Sequence, residues 1–190
     1  MNRPHLSELP SWQGVRRVCI DTETHDEHLT TLGPGWRRGA EIVGISFAFD
    51  DGSAEPPAWY LPVGHASGNY HDPDRVWEYL RDQAKYFTGQ IAGANLSYDL
   101  DGLANYGVKF TPKFFRDIMV SGPLLDVPPT FLFNKMSLDA QADRLGLPGK
   151  DETGLRQYAE EHGLDPKKDL WQMPAEVVAP YAIQDARLPL

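Results

Sequence analysis

The sequence predicts an α/β domain with a mixed sheet, because strand signals come first, strand–helix pairs follow, and helical segments come last. The first third contains three short runs of β-branched or alternating apolar residues. The middle third joins short apolar runs to amphipathic segments, and the last third has helical periodicity. At 190 residues, the chain fits one domain with a core of its own.

Three strands open the predicted sheet. Residues 15–20 form a β-branched run that is suited to a buried strand, which ends at Asp21. Apolar residues alternate over residues 42–49, as they do in a strand with one buried face. Residues 59–63 return as a third strand, and the short links favour an antiparallel meander.

The rest of the chain is predicted to alternate helices with two more strands. Pro73 after Asp72 is typical of a helix start, and Gly146 and Gly163 are typical of helix ends. The predicted helices cover residues 72–87, 96–106, 137–145 and 152–162, and a last helix begins near residue 174. The two further predicted strands cover residues 90–94 and 114–118.

Composition and charge argue against several kinds of protein. No stretch approaches the roughly 18 apolar residues of a membrane span, and the beginning of the chain lacks the apolar segment of a secretory signal. Cys19 is the only cysteine, so we expect no internal disulfide and a cytoplasmic protein. The net charge of −9 argues against a broad basic surface for nucleic acid, although bound cations would offset local negative charge.

Asp21 and Glu23 stand two residues apart where the first predicted strand ends. Because successive side chains of a strand alternate, both carboxylates are expected on one face, with Thr22 on the other. Carboxylates are ligands that Mg²⁺ and Mn²⁺ prefer. The pair alone is weak evidence for a metal site, since exposed acids at a strand end are usually only solvated.

Two further pairs of polar residues are spaced by four: Asn95 with Asp99, and Tyr181 with Asp185. Residues four apart share one face of a helix, so each pair can direct two polar groups into one cleft. Other roles stay open, since Asn95 also suits a helix N-cap and Tyr181 a partly buried aromatic. Pro180 either bends the last helix or begins a new one.

Together these segments resemble the three motifs of the DEDDy-type 3′–5′ exonucleases of the DnaQ-like superfamily. The first motif corresponds to residues 21–24 (Asp-Thr-Glu-Thr), the second to residues 95–99 (Asn-Leu-Ser-Tyr-Asp) and the third to residues 181–186 (Tyr-Ala-Ile-Gln-Asp-Ala). The strongest similarity is to the proofreading domain of bacterial and phage family A DNA polymerases, of the DNA polymerase I type. Residues 1–14 are polar and contain Pro4 and Pro10, so they are interpreted as a loose lead-in. The resemblance assigns residues 15–190 to the exonuclease domain, which a polymerase domain would follow.

The resemblance implies a ribonuclease H-like fold, with a five-stranded mixed sheet flanked by helices. It also implies two ions of Mg²⁺ or Mn²⁺, the first held by Asp21, Glu23 and Asp185. The second ion would be held by Asp21 and, partly through water, by Asp99. In such a site one ion activates a water and the other stabilises the leaving 3′ oxygen. Tyr181 would orient the attacking water.

The implied substrate is the single-stranded 3′ end of DNA, which is degraded to 5′-mononucleotides during proofreading. The Thr22 backbone and Asn95 would help to hold the terminal nucleotide. Cellular members stack an apolar residue on the terminal base a few positions after the first motif, where Leu29 is the apolar residue in this sequence. The implied partner is a polymerase domain, in the same parent chain or in trans.

Two other functions are compatible with the same motifs. A ribonuclease D-like 3′–5′ exoribonuclease would use the same side chains on RNA. A non-catalytic nucleic-acid-binding or scaffolding module arises when this fold loses its acids, and the presence of all four acids argues against it. A comparison of matched DNA and RNA oligomers separates the two nucleases.

Overall fold

The computed structural model describes residues 4–125 and 137–190. Within these ranges the chain forms five strands, seven α-helices and two short 3₁₀ turns. The strands are β1 (Arg17–His25), β2 (Glu41–Phe49), β3 (Ala58–Pro62), β4 (Gln90–Gly93) and β5 (Phe114–Asp117). The helices are α1 (Leu29–Leu32), α2 (Pro73–Tyr86), α3 (Leu96–Asn105), α4 (Ile118–Leu125), α5 (Leu138–Arg144), α6 (Thr153–His162) and α7 (Ala175–Arg187), and the 3₁₀ turns are Leu6–Glu8 and Leu170–Gln172.

The five strands form one mixed sheet in the order β3-β2-β1-β4-β5. β2 pairs antiparallel with both β1 and β3, which confirms the predicted meander. β4 pairs parallel with β1 and with β5. β1 is therefore the central strand, and its residues Val18 and Ile20 are fully buried.

Helices cover both faces of the sheet. Val18 and Ile20 of β1 share one apolar cluster with residues of α2 and α3. On the other face, Val43 of β2 packs with residues of α6 and α7. Because side chains alternate along a strand, β1 presents Asp21 and Glu23 to the face that α7 covers.

β1 is longer than predicted, because pairing with β2 continues past Asp21. Thr22 and Glu23 still oppose residues of β2, and a bulge follows between Glu23 and Thr24. Backbone hydrogen bonds to a neighbouring strand thus hold a polar stretch extended, although its composition is typical of a loop. The acids consequently lie inside the central strand rather than beyond its end.

Residues 4–14 are attached more firmly than the loose lead-in that was expected for residues 1–14. Trp12 is fully buried, and its ring lies 5.0 Å from that of Phe47 and 5.7 Å from that of Phe110, centroid to centroid. Its indole N–H donates to the Tyr79 hydroxyl at 3.0 Å. The average composition of the segment was misleading because a few individual contacts anchor it: the Trp12 ring is buried, and the Pro4 and Pro10 carbonyls accept hydrogen bonds from the Tyr70 and Tyr79 hydroxyls.

The final helix resolves the alternative at Pro180. α7 runs through Pro180 without interruption, so no new helix begins there. Val178, Ala182 and Ala186 are buried in α7, and the helix packs against β1, β2 and β3. This packing places Asp185 over the central strand. Among the described residues, no helix is both long and apolar enough to cross a membrane.

Candidate active site

Three carboxylates from two distant segments meet at one place. Asp21 and Glu23 extend from β1 and Asp185 from α7, and one oxygen of each lies within 4.8 Å of the other two. Glu23 and Asp185 are buried. These are the three residues that the resemblance assigned to one metal ion, and the fold brings them together.

The three carboxylates fit a hard divalent cation. Glu23 Oε1 and Asp185 Oδ1 are buried and have no hydrogen-bond partner among the residues that the structure describes. A buried carboxylate oxygen without a partner is costly, and Mg²⁺ and Mn²⁺ prefer oxygen ligands. A cation held by Asp21, Glu23 and Asp185 would satisfy both oxygens.

Asp99 lies beside this group and is held by β1. Its Oδ1 accepts hydrogen bonds from the Thr22 backbone N–H at 2.9 Å and from the Thr22 hydroxyl at 2.6 Å. Thr22 stands between Asp21 and Glu23, so these bonds attach α3 to β1 at the acids. The Thr22 backbone N–H already donates to Asp99. A contact between the Thr22 backbone and a nucleotide stays a prediction.

Asn95 begins α3 in an unusual backbone conformation. Its φ of 58° lies in the left-handed region, which residues other than glycine rarely adopt. Its side chain makes no capping bond; Asp117, at the end of β5, instead accepts the N–H groups of Asn95 at 3.1 Å and Leu96 at 2.9 Å. Asp117 thus holds the turn that carries Asp99, and the Asn95 side chain is left exposed.

Leu29 and Tyr181 occupy different surroundings. Leu29 is the first residue of α1, and 39% of its surface is exposed. Tyr181 lies one helical turn before Asp185 on α7 and is partly buried. Tyr181 therefore shares the face of α7 that reaches the carboxylates. Stacking of Leu29 on a base stays a prediction.

Lys150 contacts the Asp185 carboxylate directly, although the sequence analysis did not identify it. Its Nζ donates to Asp185 Oδ2 at 2.5 Å and to the Tyr181 hydroxyl at 3.3 Å. It also lies 5.1 Å from the centre of the Tyr181 ring. Lys150 belongs to the loop between α5 and α6, and 35 positions separate it from Asp185. A lysine in a polar, glycine-containing loop is ordinarily a surface residue, so no local pattern marks it.

Burial raises the pKa values of the acids at this site. The pKa of Glu23 rises to about 8 and that of Asp99 to about 7, in both cases chiefly through burial. Burial, and then the neighbouring carboxylates, also raise the pKa of Asp21. The Lys150 ammonium opposes this shift by lowering the pKa of Glu23. A divalent cation therefore competes with protons for these oxygens.

We predict that, without divalent cations, the protein loses stability as the pH rises from about 5 to about 8. The pKa of Glu23 is about 8 in the folded protein, against an ordinary value of 4.5. In this interval the folded protein holds more protons than the unfolded chain, so a rise in pH favours unfolding. Melting temperatures measured in EDTA across the interval test this.

Two companion measurements isolate the cause of that loss. Mg²⁺ added at pH 8 should restore the melting temperature, because it binds the ionised carboxylates of the folded protein. The variant Glu23→Gln, which cannot ionise, should show a smaller decrease with pH in EDTA. A wild-type melting temperature that climbs steadily to pH 8 in EDTA would contradict the prediction.

Comparison with known proteins places this geometry in context. No protein-family model matches the chain. A DNA-directed DNA polymerase of Pseudomonas phage M6 is 49% identical over 190 residues, which cover 98% of this chain and 27% of the polymerase. The chain thus spans about a quarter of the length of this relative.

A solved structure supports the fold. NrnC of Brucella melitensis with bound Mg²⁺ has a TM-score of 0.55 to this chain, with 18% sequence identity, over 95% of this chain and 74% of NrnC. The similarity extends over nearly the whole chain and therefore includes the sheet and the helices on both of its faces. The expected fold class is confirmed: an α/β domain of the ribonuclease H-like type, with a five-stranded mixed sheet flanked by helices.

Proposed function

We propose that the chain is a metal-dependent 3′–5′ exonuclease that hydrolyses the terminal phosphodiester of single-stranded DNA and releases 5′-mononucleotides. The observation that carries the proposal is the buried group of Asp21, Glu23 and Asp185, with oxygens within 4.8 Å of one another. The 49% identity to part of a phage DNA polymerase supports DNA as the substrate and a proofreading role beside a polymerase domain. The proposed cytoplasmic location rests on the single cysteine of the sequence.

The residues of the site would divide the work. Asp21, Glu23 and Asp185 would hold one Mg²⁺ or Mn²⁺ ion, and Asp21 with Asp99 would contribute to a second. When bound, the two ions supply an activated water and stabilise the charge on the leaving 3′ oxygen. Burial and the nearby carboxylates raise the pKa of Tyr181 well above its ordinary value. Its hydroxyl therefore keeps its proton and can donate to the attacking water.

The net charge of the domain is compatible with binding only a few nucleotides at the 3′ end of a DNA strand. With a net charge of −9, a broad phosphate-binding surface is not expected. The backbone of Thr22, the exposed Asn95 side chain and Leu29 are proposed to contact the terminal nucleotide. A polymerase domain, in the same parent chain or in trans, would hold the rest of the DNA.

A single-stranded DNA oligomer labelled at its 5′ end tests direction, chemistry and metal dependence together. With Mg²⁺ or Mn²⁺, we expect a ladder that shortens from the 3′ end, with 5′-mononucleotides as products. EDTA should stop the reaction, renewed Mg²⁺ should restore it, and a blocked 3′ end should prevent it.

The same assay separates the competing functions. A strong preference for a matched RNA oligomer would favour the exoribonuclease and contradict proofreading. A folded chain that neither hydrolyses the oligomer nor binds Mn²⁺ would favour the non-catalytic module. Cleavage at internal positions of a 3′-blocked oligomer would contradict an exonuclease altogether.

A further inference from the structure

Lys150 brings a positive charge into direct contact with the proposed catalytic groups. Its Nζ contacts both Asp185 Oδ2 and the Tyr181 hydroxyl, and only 19% of its side chain is exposed. Among the described residues, no other lysine or arginine forms an ion pair with the three clustered carboxylates. Lys150 is thus the cation that the fold itself supplies to the acids.

The loop that carries Lys150 is fixed from two sides. The backbone N–H of Lys150 donates to Asp139 Oδ1 of α5 at 2.9 Å. Gln184 of α7 accepts the N–H of Asp151 at 3.1 Å and donates to the Gly149 carbonyl at 2.5 Å. Because the residues on both sides of Lys150 are hydrogen-bonded to α7, the backbone places the Lys150 side chain next to Asp185.

The two oxygens of Asp185 are in different situations. Oδ2 accepts the short hydrogen bond from Lys150, whereas Oδ1 is buried without a partner among the described residues. A cation between Asp21, Glu23 and Asp185 therefore meets a carboxylate that is already paired with a positive charge. The Lys150 ammonium and a divalent cation bound to the same carboxylate are both positive and repel each other.

We propose that Lys150 is a positioning residue that competes with the divalent cation for Asp185 and thereby weakens the first binding of that cation; this inference rests on the proposed function. The ammonium fixes the Asp185 carboxylate and the Tyr181 hydroxyl relative to each other and offsets part of the negative charge of the three carboxylates. A bound divalent cation takes over that role, and the ammonium moves away from Asp185 Oδ2.

The structure provides room for this movement. A cleft of about 560 Å³ borders the loop. Of its lining residues, Glu152 is already paired with Arg156 and Lys167, so the carboxylates open to the Lys150 ammonium are those of Asp139 and Asp143. The flexible four-carbon stem of lysine allows the ammonium to turn toward these carboxylates while the backbone stays tied to α7. The ammonium therefore exchanges one acidic partner for another and is not left buried and unpaired.

Mn²⁺ binding, measured from the electron paramagnetic resonance signal of free Mn²⁺, tests the inference without any use of hydrolysis. In Lys150→Met and Lys150→Gln, the dissociation constant of the tightest Mn²⁺ should fall by about tenfold or more, because the competing charge is gone. Glutamine keeps a hydrogen-bond donor, so it separates charge from hydrogen bonding. Lys150→Arg retains the charge and should bind Mn²⁺ like the wild type, as should Lys168→Met, which alters an exposed lysine.

The possible failures can be told apart. Circular dichroism and melting temperatures without cations identify the folded variants, and either neutral variant suffices for the test. A folded wild type that binds no Mn²⁺ overturns the proposed function. A wild type that binds Mn²⁺ at least as tightly as the neutral variants overturns only the role of Lys150, as does Lys150→Arg if it binds like Lys150→Met.

Discussion

Replacement of Asp21 by asparagine is expected to lower the rate of 3′-end hydrolysis by about a thousandfold or more. Asp21 belongs to the group of three carboxylates and is proposed to serve both metal ions. Asparagine has nearly the same shape but no negative charge, so the change removes a metal ligand without creating a cavity. Initial rates on a single-stranded DNA oligomer with saturating Mg²⁺ measure the effect.

The same change should leave stability intact or raise it. Burial and the neighbouring acids Asp99, Glu23 and Asp185 raise the pKa of Asp21, which shows that its ionised form is unfavourable in the folded protein. A neutral side chain removes that repulsion, so the melting temperature in EDTA should not fall. Lost activity together with unchanged or higher stability is expected of a ligand and not of a structural residue.

Asp101 provides the matched control for Asp21. It lies two residues after Asp99 on α3, but it is exposed and outside the cluster. Asp101→Asn makes the same chemical change and should keep both the rate and the melting temperature close to those of the wild type. If Asp21→Asn kept more than about a tenth of the wild-type rate, a loss of less than about 1.4 kcal/mol of transition-state stabilisation, the assignment would be wrong.

The second large effect concerns stability. Replacement of Trp12 by alanine is expected to lower the free energy of unfolding by about 3–5 kcal/mol, as large-to-small changes at buried aromatic residues do. Trp12 is fully buried and contacts the rings of Phe47, Phe49, Phe87 and Phe110. The change would also leave the Tyr79 hydroxyl without the indole N–H. Equilibrium unfolding in urea measures the difference.

Tyr86→Ala is the control for the loss of an aromatic ring. Tyr86 is 63% exposed at the end of α2, so its removal should change the free energy of unfolding by about 0.5 kcal/mol or less. A loss below about 1 kcal/mol in Trp12→Ala would show that the Trp12 ring does not anchor residues 4–14.

The parts of the fold that were predicted correctly depend on periodicity within a short window. The alternating residues of β2 and the amphipathic pattern of α2 need only local sequence, and both elements occur within a few residues of their predicted bounds. α4 was not predicted, since Gly122 and Pro123 within it disfavour a helix. α1 was not predicted either, because its four residues are too few for a periodic signal.

The residues of the site also divide into those with a local sequence signal and those without one. Asp21 with Glu23 and Tyr181 with Asp185 were identified because each pair has a spacing that one strand or one helix converts into a shared face. Asp117, which holds the turn before α3, and Lys150 were missed. Their contacts join residues 22 and 35 positions apart, and no periodic pattern reaches across a loop of that kind.

By itself, the sequence determined which acids belong together and which class of fold presents them, because motif spacing and hydrophobic periodicity are local properties. Only the tertiary structure decided the charge balance of the site. It places three carboxylates within 4.8 Å, buries two of them, and brings Lys150 to Asp185. Burial and the distances between charges arise when separate segments pack together, and they set the pKa values and the cation affinity of the acids.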